Sequence, residues 1–346
     1  RFLAPKIWES FSAKGGSASG GDLSGYDVVI SSSGWFMCRG VALGRNPTNP
    51  TNTPIRPMNG DNEAMKQWNN KTRGPLHICY IHHPPRNLYG YATGSSLQKY
   101  WPVRVYATVV NFFLRHYDWK TAQKVDYFVA NSKETARRVE KFYRRESTVI
   151  YPPIEVKSPL QDKQKSKVKS LGNYFLSIGR LTYSKRVDLA IGAANTLKIP
   201  LKIVGTGKEE TYLRSIAGPT VEFLGSVSDD ELTRLYAGAK ALIFSALDED
   251  FGMVPMEAMG QGTPVIALAQ GGVLETVVDG ETGVLFYEST VESLVEAVER
   301  YGKLGKLGSD WGDRCRKQAR KFSKARFQKE LKTFVEEQYR HATSSR

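Results

Sequence analysis

From residue 174 to residue 287, short apolar runs of strand length alternate with helical stretches of about ten residues. This rhythm limits the fold more than any other feature of the chain. Strands are expected at 174–179, 201–205, 221–225, 241–245, 264–267 and 284–287, with helices at 187–197, 209–217 and 229–239 between them. Runs that are apolar throughout, rather than alternately apolar and polar, belong to strands buried on both faces, so the sheet is parallel and covered by helices on each side. Sheets of this kind collect ligands at the C-terminal ends of their strands.

The first half carries the same rhythm more loosely. Residues 26–31 and 77–82 read as strands, 101–124 as a helix, 125–131 as a strand, Ser132 as the cap of a helix to Arg144, and 147–151 as a last strand. The aromatic stretch 101–124, with Arg104, Arg115, His116 and Lys120, has two readings: a basic amphipathic face for a membrane surface, or a core-facing helix with its charges outward. General priors favour the second. Residues 15–25 look like a flexible Gly/Ser loop and 44–75 like a surface insertion rich in Asn, Pro, Thr and Gly.

A length of 346 residues calls for two domains. Pro152-Pro153 and the Lys-rich stretch after it mark the boundary, so the division is 1–153, a linker at 154–170, 171–322, and a C-terminal segment 323–346. Two tail helices are expected, at 307–321 and 324–341, the last packing back towards the first domain. The chain enters at Arg1-Phe2 with no strand and Gly-rich turn before it, so the first domain is expected to lack its opening βα unit.

A net charge of +14 implies an anionic partner. No RNA- or DNA-binding motif accompanies it, so phosphorylated small molecules or a membrane face are expected rather than nucleic acid. Cys38, Cys79 and Cys315 have no metal-binding spacing and read as reduced thiols. With no apolar run near the ~20 residues of a spanning helix and no visible signal peptide, the expected location is the cytoplasm, with peripheral contact at the inner face of the membrane left open.

Each strand end of the second half carries a candidate ligand group. Arg180 and Lys185 follow the first strand, and two cations aimed at one place are what a departing diphosphate needs, although taken alone both are ordinary surface residues. Gly205-Thr206-Gly207 permits close backbone approach to a ligand, and a tight turn explains it equally well. Gly225-Ser226-Val227 offers backbone groups to a base edge, and Gly271-Gly272 precedes another helix start. Between them lies Glu249-Asp250-Phe251-Gly252-Met253-Val254-Pro255-Met256-Glu257, which puts Phe251-Gly252 at a helix N-terminus, where unpaired amides favour a phosphate or a sugar hydroxyl. Glu249 falls in the loop and Glu257 about two turns into the helix. Carboxylates ~10 Å apart beside an anion site suit the hydroxyls at the two ends of a nucleotide sugar, and a helix with two exposed acids is the plain alternative.

These residues together carry a family resemblance. Gly179-Arg180-Leu181 with Lys185, Val204-Gly205-Thr206-Gly207, Phe223-Leu224-Gly225-Ser226-Val227 and the Glu-x7-Glu stretch from Glu249 to Glu257 resemble retaining glycosyltransferases of the GT-B fold, family 4. In the first half, residues 26–33, 79–86 and 149–154 resemble the WbaZ-like mannosyltransferase branch of that family.

The resemblance implies an α/β protein of two Rossmann-like domains with parallel sheets, facing each other across a cleft. It implies transfer of a hexose, mannose from GDP-mannose in this branch, to a lipid-linked or polysaccharide glycan acceptor such as O-antigen. Arg180 and Lys185 would hold the donor diphosphate, and the amides of Phe251, Gly252 and Met253, with Val254 beside them, would meet phosphate and sugar. Glu249 would hold sugar hydroxyls, Glu257 the ribose, and the backbone at Val227 the base; Gly205, Gly207, Gly271 and Gly272 line the same donor site. His82 takes the family's histidine position near the reacting sugar, although a histidine at a strand end beside His83 and two prolines also serves to orient the loop. Transfer would proceed by front-face displacement with retention, without a metal or other cofactor. Two further readings stay open: a nucleotide-sugar epimerase on the same architecture, and a non-catalytic remnant that binds nucleotide sugars.

Overall fold

A computed structural model describes residues 28–33, 76–92, 101–154, 173–306 and 310–344. The expectations for the chain start, for a loop at 15–25, for an insertion at 44–75 and for nearly all of the linker at 154–170 fall outside these residues.

The described residues form two parallel sheets. The first holds β1 (Val28–Ser33), β2 (Leu76–Ile81), β3 (Tyr127–Ala130) and β4 (Ser147–Val149), in that order. Its helices are α1 (Trp101–Ala122) and α2 (Lys133–Tyr143). The second sheet comprises β5 (Phe175–Ile178), β6 (Leu201–Val204), β7 (Val221–Gly225), β8 (Leu242–Phe244), β9 (Val265–Leu268) and β10 (Gly283–Phe286), in the spatial order β10-β9-β8-β5-β6-β7. The chain therefore winds outward in one direction from β5 and in the other from β8. The crevice between these two strand ends is the switch point at which such sheets bind ligands.

Helices α3 (Val187–Leu197), α4 (Glu210–Ile216), α5 (Asp229–Gly238), α6 (Met253–Gly260), α7 (Val273–Thr276) and α8 (Val291–Lys306) connect these strands or flank the sheet. Strand alternation sends Leu176, Leu242 and Val265 to a core closed by Met256 and Met259 of α6. Phe175, Ile243 and Ile266 go to an opposite core closed by Ile191 of α3 and Leu294 of α8. Burial on both faces is what the uniformly apolar runs require. Helix α8 falls where the sequence reading assigned nothing, although Val291, Leu294, Val295 and Val298 have helical spacing. The tail helices are α9 (Trp311–Arg320), capped by Asp310, and α10 (Lys324–Ser344).

The chain crosses between the sheets twice, side by side. Ile154 bridges Ser323 and donates its N–H to the Phe322 carbonyl at 2.8 Å, and the Arg326 guanidinium donates to the Tyr151 carbonyl at 2.6 Å. Helix α10 then packs Phe327, Leu331 and Phe334 against Ile78, Tyr80, Val129 and Ile150 of the first domain. Phe327 meets the Tyr80 ring edge-on at 5.7 Å.

Helix α1 differs from the core-facing expectation. Trp101, Tyr106, Phe112 and Phe113 are 74, 71, 64 and 67% exposed, and its buried residues are Asp118, Thr121 and Ala122. The helix is anchored by its last turns, where the Tyr89 and Tyr143 hydroxyls both donate to Asp118 at 2.9 Å. Its large side chains lie on the arc facing away from that anchor, so amphipathic periodicity alone points them to the wrong side.

Phe327→Ala should lower stability by ~3–5 kcal/mol through the cavity it opens between α10 and the first sheet. Exposed Lys332 on the same helix should tolerate alanine within ~0.5 kcal/mol. Denaturant unfolding followed by circular dichroism compares the two.

Candidate active site

The loops after β5 and β8 are laced together at the switch point. The Ser245 hydroxyl donates to the Arg186 carbonyl at 2.7 Å and the Leu247 N–H to the Ser184 carbonyl at 2.8 Å. This brings the Lys185 ammonium to the Glu249 carboxylate, Nζ to Oε2, at 2.7 Å. Burial alone would raise the Glu249 pKa, but the Lys185 charge and hydrogen bond, with the charges of Arg86 and Arg138, hold it below the usual carboxylate range. The cation assigned to the diphosphate and the acid assigned to the sugar thus pair with each other. Arg180 is exposed after β5 and makes no ion pair among the described residues.

The stretch 249–257 folds as a loop followed by α6, with Gly252 as N-cap at φ +91°. Phe251 is buried, its ring 5.8 Å from Tyr151 and 5.5 Å from Phe322. Met253, Val254 and Val227 pack partly buried on the same core. Glu257 accepts from the Tyr236 hydroxyl at 2.9 Å. Burial raises the Glu257 pKa; the Tyr236 hydrogen bond opposes this and the nearby Asp229 adds to it.

The glycines near these loops are sites of close backbone packing. At Gly271 a Cβ would stand 2.2 Å from the Glu249 carbonyl oxygen, and at Gly272 2.3 Å from that of Asp250. The Gly272 N–H donates to the Glu249 carbonyl at 2.8 Å. At Gly205 and Gly207 a Cβ would lie 2.0 and 2.2 Å from the carbonyl oxygens of Gly179 and Leu181. These glycines let neighbouring strand-end loops touch backbone to backbone, which holds the crevice in shape.

His82, at the end of β2, shares a 2.9 Å hydrogen bond between its Nε2 and the Ser32 hydroxyl, and lies 5.4 Å from the Tyr80 ring. Burial, with the charge of His83, lowers its pKa to about 4, so the imidazole is neutral near pH 7.

The structure adds residues that sequence reasoning missed. Asp250 accepts from Arg138 Nη1 at 2.5 Å and from Arg86 Nη2, both from the first domain. Glu275 accepts from the N–H groups of Lys133 and Glu134, at 2.8 and 2.9 Å, at the start of α2. Arg86 closes the His82 segment and Asp250 stands inside the Glu-x7-Glu stretch, so both lay within quoted motifs without a role. Arg138, four residues after Glu134 on a helix, looks like an ordinary surface pair, and nothing around Tyr236 marks it out. Among the described residues no group of three His, Cys, Asp or Glu has a metal-holding arrangement, and no helix is long and apolar enough to cross a membrane.

The chain is similar to known glycosyltransferases. An uncharacterized glycosyltransferase from Methanocaldococcus jannaschii is 33% identical over 148 residues, covering 40% of this chain and 36% of that protein. A glycogen synthase from Pseudomonas syringae pv. syringae is 34% identical over 142 residues, covering 38% of this chain and 29% of that protein. The chain thus spans about a third of the length of these curated relatives. Among solved structures, sucrose-phosphate synthase from Thermosynechococcus elongatus matches 97% of this chain and 78% of its own, at a TM-score of 0.67 and 17% identity. Anabaena Alr3699/HepE in complex with UDP-glucose matches 79% of this chain and 89% of its own, at a TM-score of 0.59 and 17% identity. The chain has the GT-B fold, and its residues 160–320 match the family Glycosyl transferases group 1.

Proposed function

We propose that the protein is a retaining glycosyltransferase that moves a hexose from a nucleoside diphosphate sugar to a glycan acceptor. The observation that carries this reading is the Lys185–Glu249 pair at the β5/β8 switch point, followed three residues on by the α6 N-terminus at Gly252. A lysine, an acid and a helix N-terminus there, with Glu257 further along the same helix, complement a diphosphate with hydroxyl-bearing groups at either end. The donor's phosphates would draw Lys185 and Arg180, leaving Glu249 to accept from sugar hydroxyls, while Glu257, held by Tyr236, accepts from the ribose. In front-face displacement the bond from C1 to the phosphate oxygen breaks, the acceptor oxygen bonds C1 from the same side, and its proton passes to the leaving phosphate. That chemistry uses charge placement rather than a protein nucleophile, and needs no metal. His82, neutral and held by Ser32, accepts a hydrogen bond at the sugar without adding charge.

The hexose is mannose on the first-half motifs, whereas the glycogen synthase relative and the UDP-glucose complex favour glucose from a UDP donor. Titration calorimetry with UDP-glucose and GDP-mannose separates these. One of them should bind, and Glu257→Ala should weaken it about ten- to a hundredfold, the worth of a hydrogen bond to a charged group. Undiminished binding by the variant, or none by the wild type, would sink the assignment.

The acceptor is lipid-linked in this reading, and α1 faces the bilayer. Its exposed aromatic arc is accompanied by Arg104, Arg115, His116 and Lys120, and its single acid, Asp118, is buried. An apolar face with only positive charge beside it fits anionic lipid. The protein should sediment with phosphatidylglycerol vesicles but not with phosphatidylcholine vesicles, and Phe112→Asp/Phe113→Asp should abolish this; equal recovery with both lipids would remove the membrane from the account.

His82 carries a pH signature. Its folded pKa lies below the unfolded value of about 6.5, so its stabilising contribution is present above pH 6.5 and is lost as pH falls towards 4. Wild type should therefore lose on the order of 3 kcal/mol relative to His82→Asn between pH 7 and pH 4, read as the difference in denaturant midpoints. A gap that does not change with pH would mean the imidazole is hydrated and charged in the fold.

A further inference from the structure

Two loop residues of the second domain, Asp248 and Asp250, reach the first domain. The Asp248 carboxylate accepts from the Ala92 N–H at 2.8 Å, and its carbonyl from Arg138 at 3.3 Å. The Asp250 carboxylate is shared, Oδ2 with Arg86 and Oδ1 with Arg138. Arg138 is 2% exposed, bonds Glu134 at 2.8 Å through Nε, and covers the Tyr91 ring at 4.1 Å. A second strut runs in parallel, with Glu275 of α7 capping the N-terminus of α2.

These contacts differ in kind from those at the chain crossings. There, beside the Ile154–Phe322 and Arg326–Tyr151 hydrogen bonds, α10 joins the domains mainly through buried apolar Phe327, Leu331 and Phe334. At 248–250 and Glu275 the bridging groups are charges and amides, which water can take over when the domains part. A permanent seam on one side and a polar, separable one on the other make a hinge and a closure.

The closure also touches the site directly. Glu249 is held by Lys185 from its own domain while Asp250, the next residue, is held from the other, and Phe251, Gly252 and Met253 follow at once. The turn at the α6 N-terminus is therefore gripped on both sides, within its own domain through Phe251 and the Glu249 carbonyl and from the first domain through Asp250.

We propose that Asp250 is a positioning residue that, clasped by Arg86 and Arg138 and seconded by Glu275, latches the two domains closed and sets the Phe251–Gly252–Met253 turn against the donor. The role in donor binding rests on the nucleotide-sugar reading above; the latch itself does not. Because closure and donor binding use the same turn, each favours the other.

Small-angle scattering on the full-length protein without nucleotide tests the latch. Asp250→Asn/Glu275→Gln should give a larger radius of gyration than wild type, with unchanged circular dichroism. The same variant should bind whichever of UDP-glucose or GDP-mannose the wild type binds about tenfold more weakly, the cost of a closed state no longer pre-populated. Asp250→Glu, which keeps the charge, should recover much of both. If Asp250→Asn/Glu275→Gln does not fold, Arg86→Lys, which keeps the charge but loses the fork, carries the test with an intermediate expansion expected. Scattering and affinity identical to wild type in a folded variant overturn the proposal. A wild type that binds neither donor defeats the nucleotide-sugar reading, and the scattering comparison still decides the latch.

Discussion

A parallel sheet buried on both faces leaves little room for polar groups along its strands. Leu176, Leu242 and Val265 face one core, Phe175, Ile243 and Ile266 the other, and every helix between them spends its apolar side on one of the two. Groups able to meet a ligand are therefore confined to the strand ends, and the reversal of winding between β5 and β8 opens a crevice at one of them. Lys185, Glu249 and the start of α6 lie there because the winding puts them there.

Charge in that crevice is close to balanced. Lys185, Arg86 and Arg138 stand among Glu249, Asp250, Asp248 and Glu134. Such a network holds its shape without ligand. Bringing in a diphosphate adds about two negative charges, which must be met by cations released from protein carboxylates or supplied from outside the network. Exposed Arg180 is available without breaking a pair, whereas Lys185 must leave Glu249. In the proposed reading that exchange would free the Glu249 carboxylate, so the event that binds the phosphate would also prepare the group for the sugar hydroxyls.

How much of this was legible in the sequence follows from the range of each interaction. The strands and helices of the second domain are local, set by apolar periodicity, and α3 and β7 fall at the residues expected for them. Helix α8 is equally local, with Val291, Leu294, Val295 and Val298 at helical spacing, but Gly302 and Gly305 in its last turns weaken the signal. The strand-end residues were legible as a set through their order along the sheet. Their pairing was not: Lys185–Glu249 joins residues 64 apart, Arg138–Asp250 112 apart, and Arg86–Asp250 164 apart. The glycines were legible as turns, but that they press on Gly179, Leu181, Glu249 and Asp250 depends on two loops meeting in space.

Helix α1 shows the limit from the other side. Periodicity finds an apolar arc and leaves open what that arc faces, and the usual guess of a core fails when the helix is anchored elsewhere. Here Asp118, the one acid among twenty-two residues, is drawn inward by two tyrosine hydroxyls, and this fixes the rotation of the helix. The polar anchor turns the aromatic arc outward. A buried carboxylate held by Tyr89 and Tyr143 is expensive to move, so the outward face persists as a property of the fold rather than of one conformation. Surface and crevice are thereby set by the same device, a buried acid held by partners distant in sequence: Asp118 orients α1, and Asp250 orients the turn that opens α6.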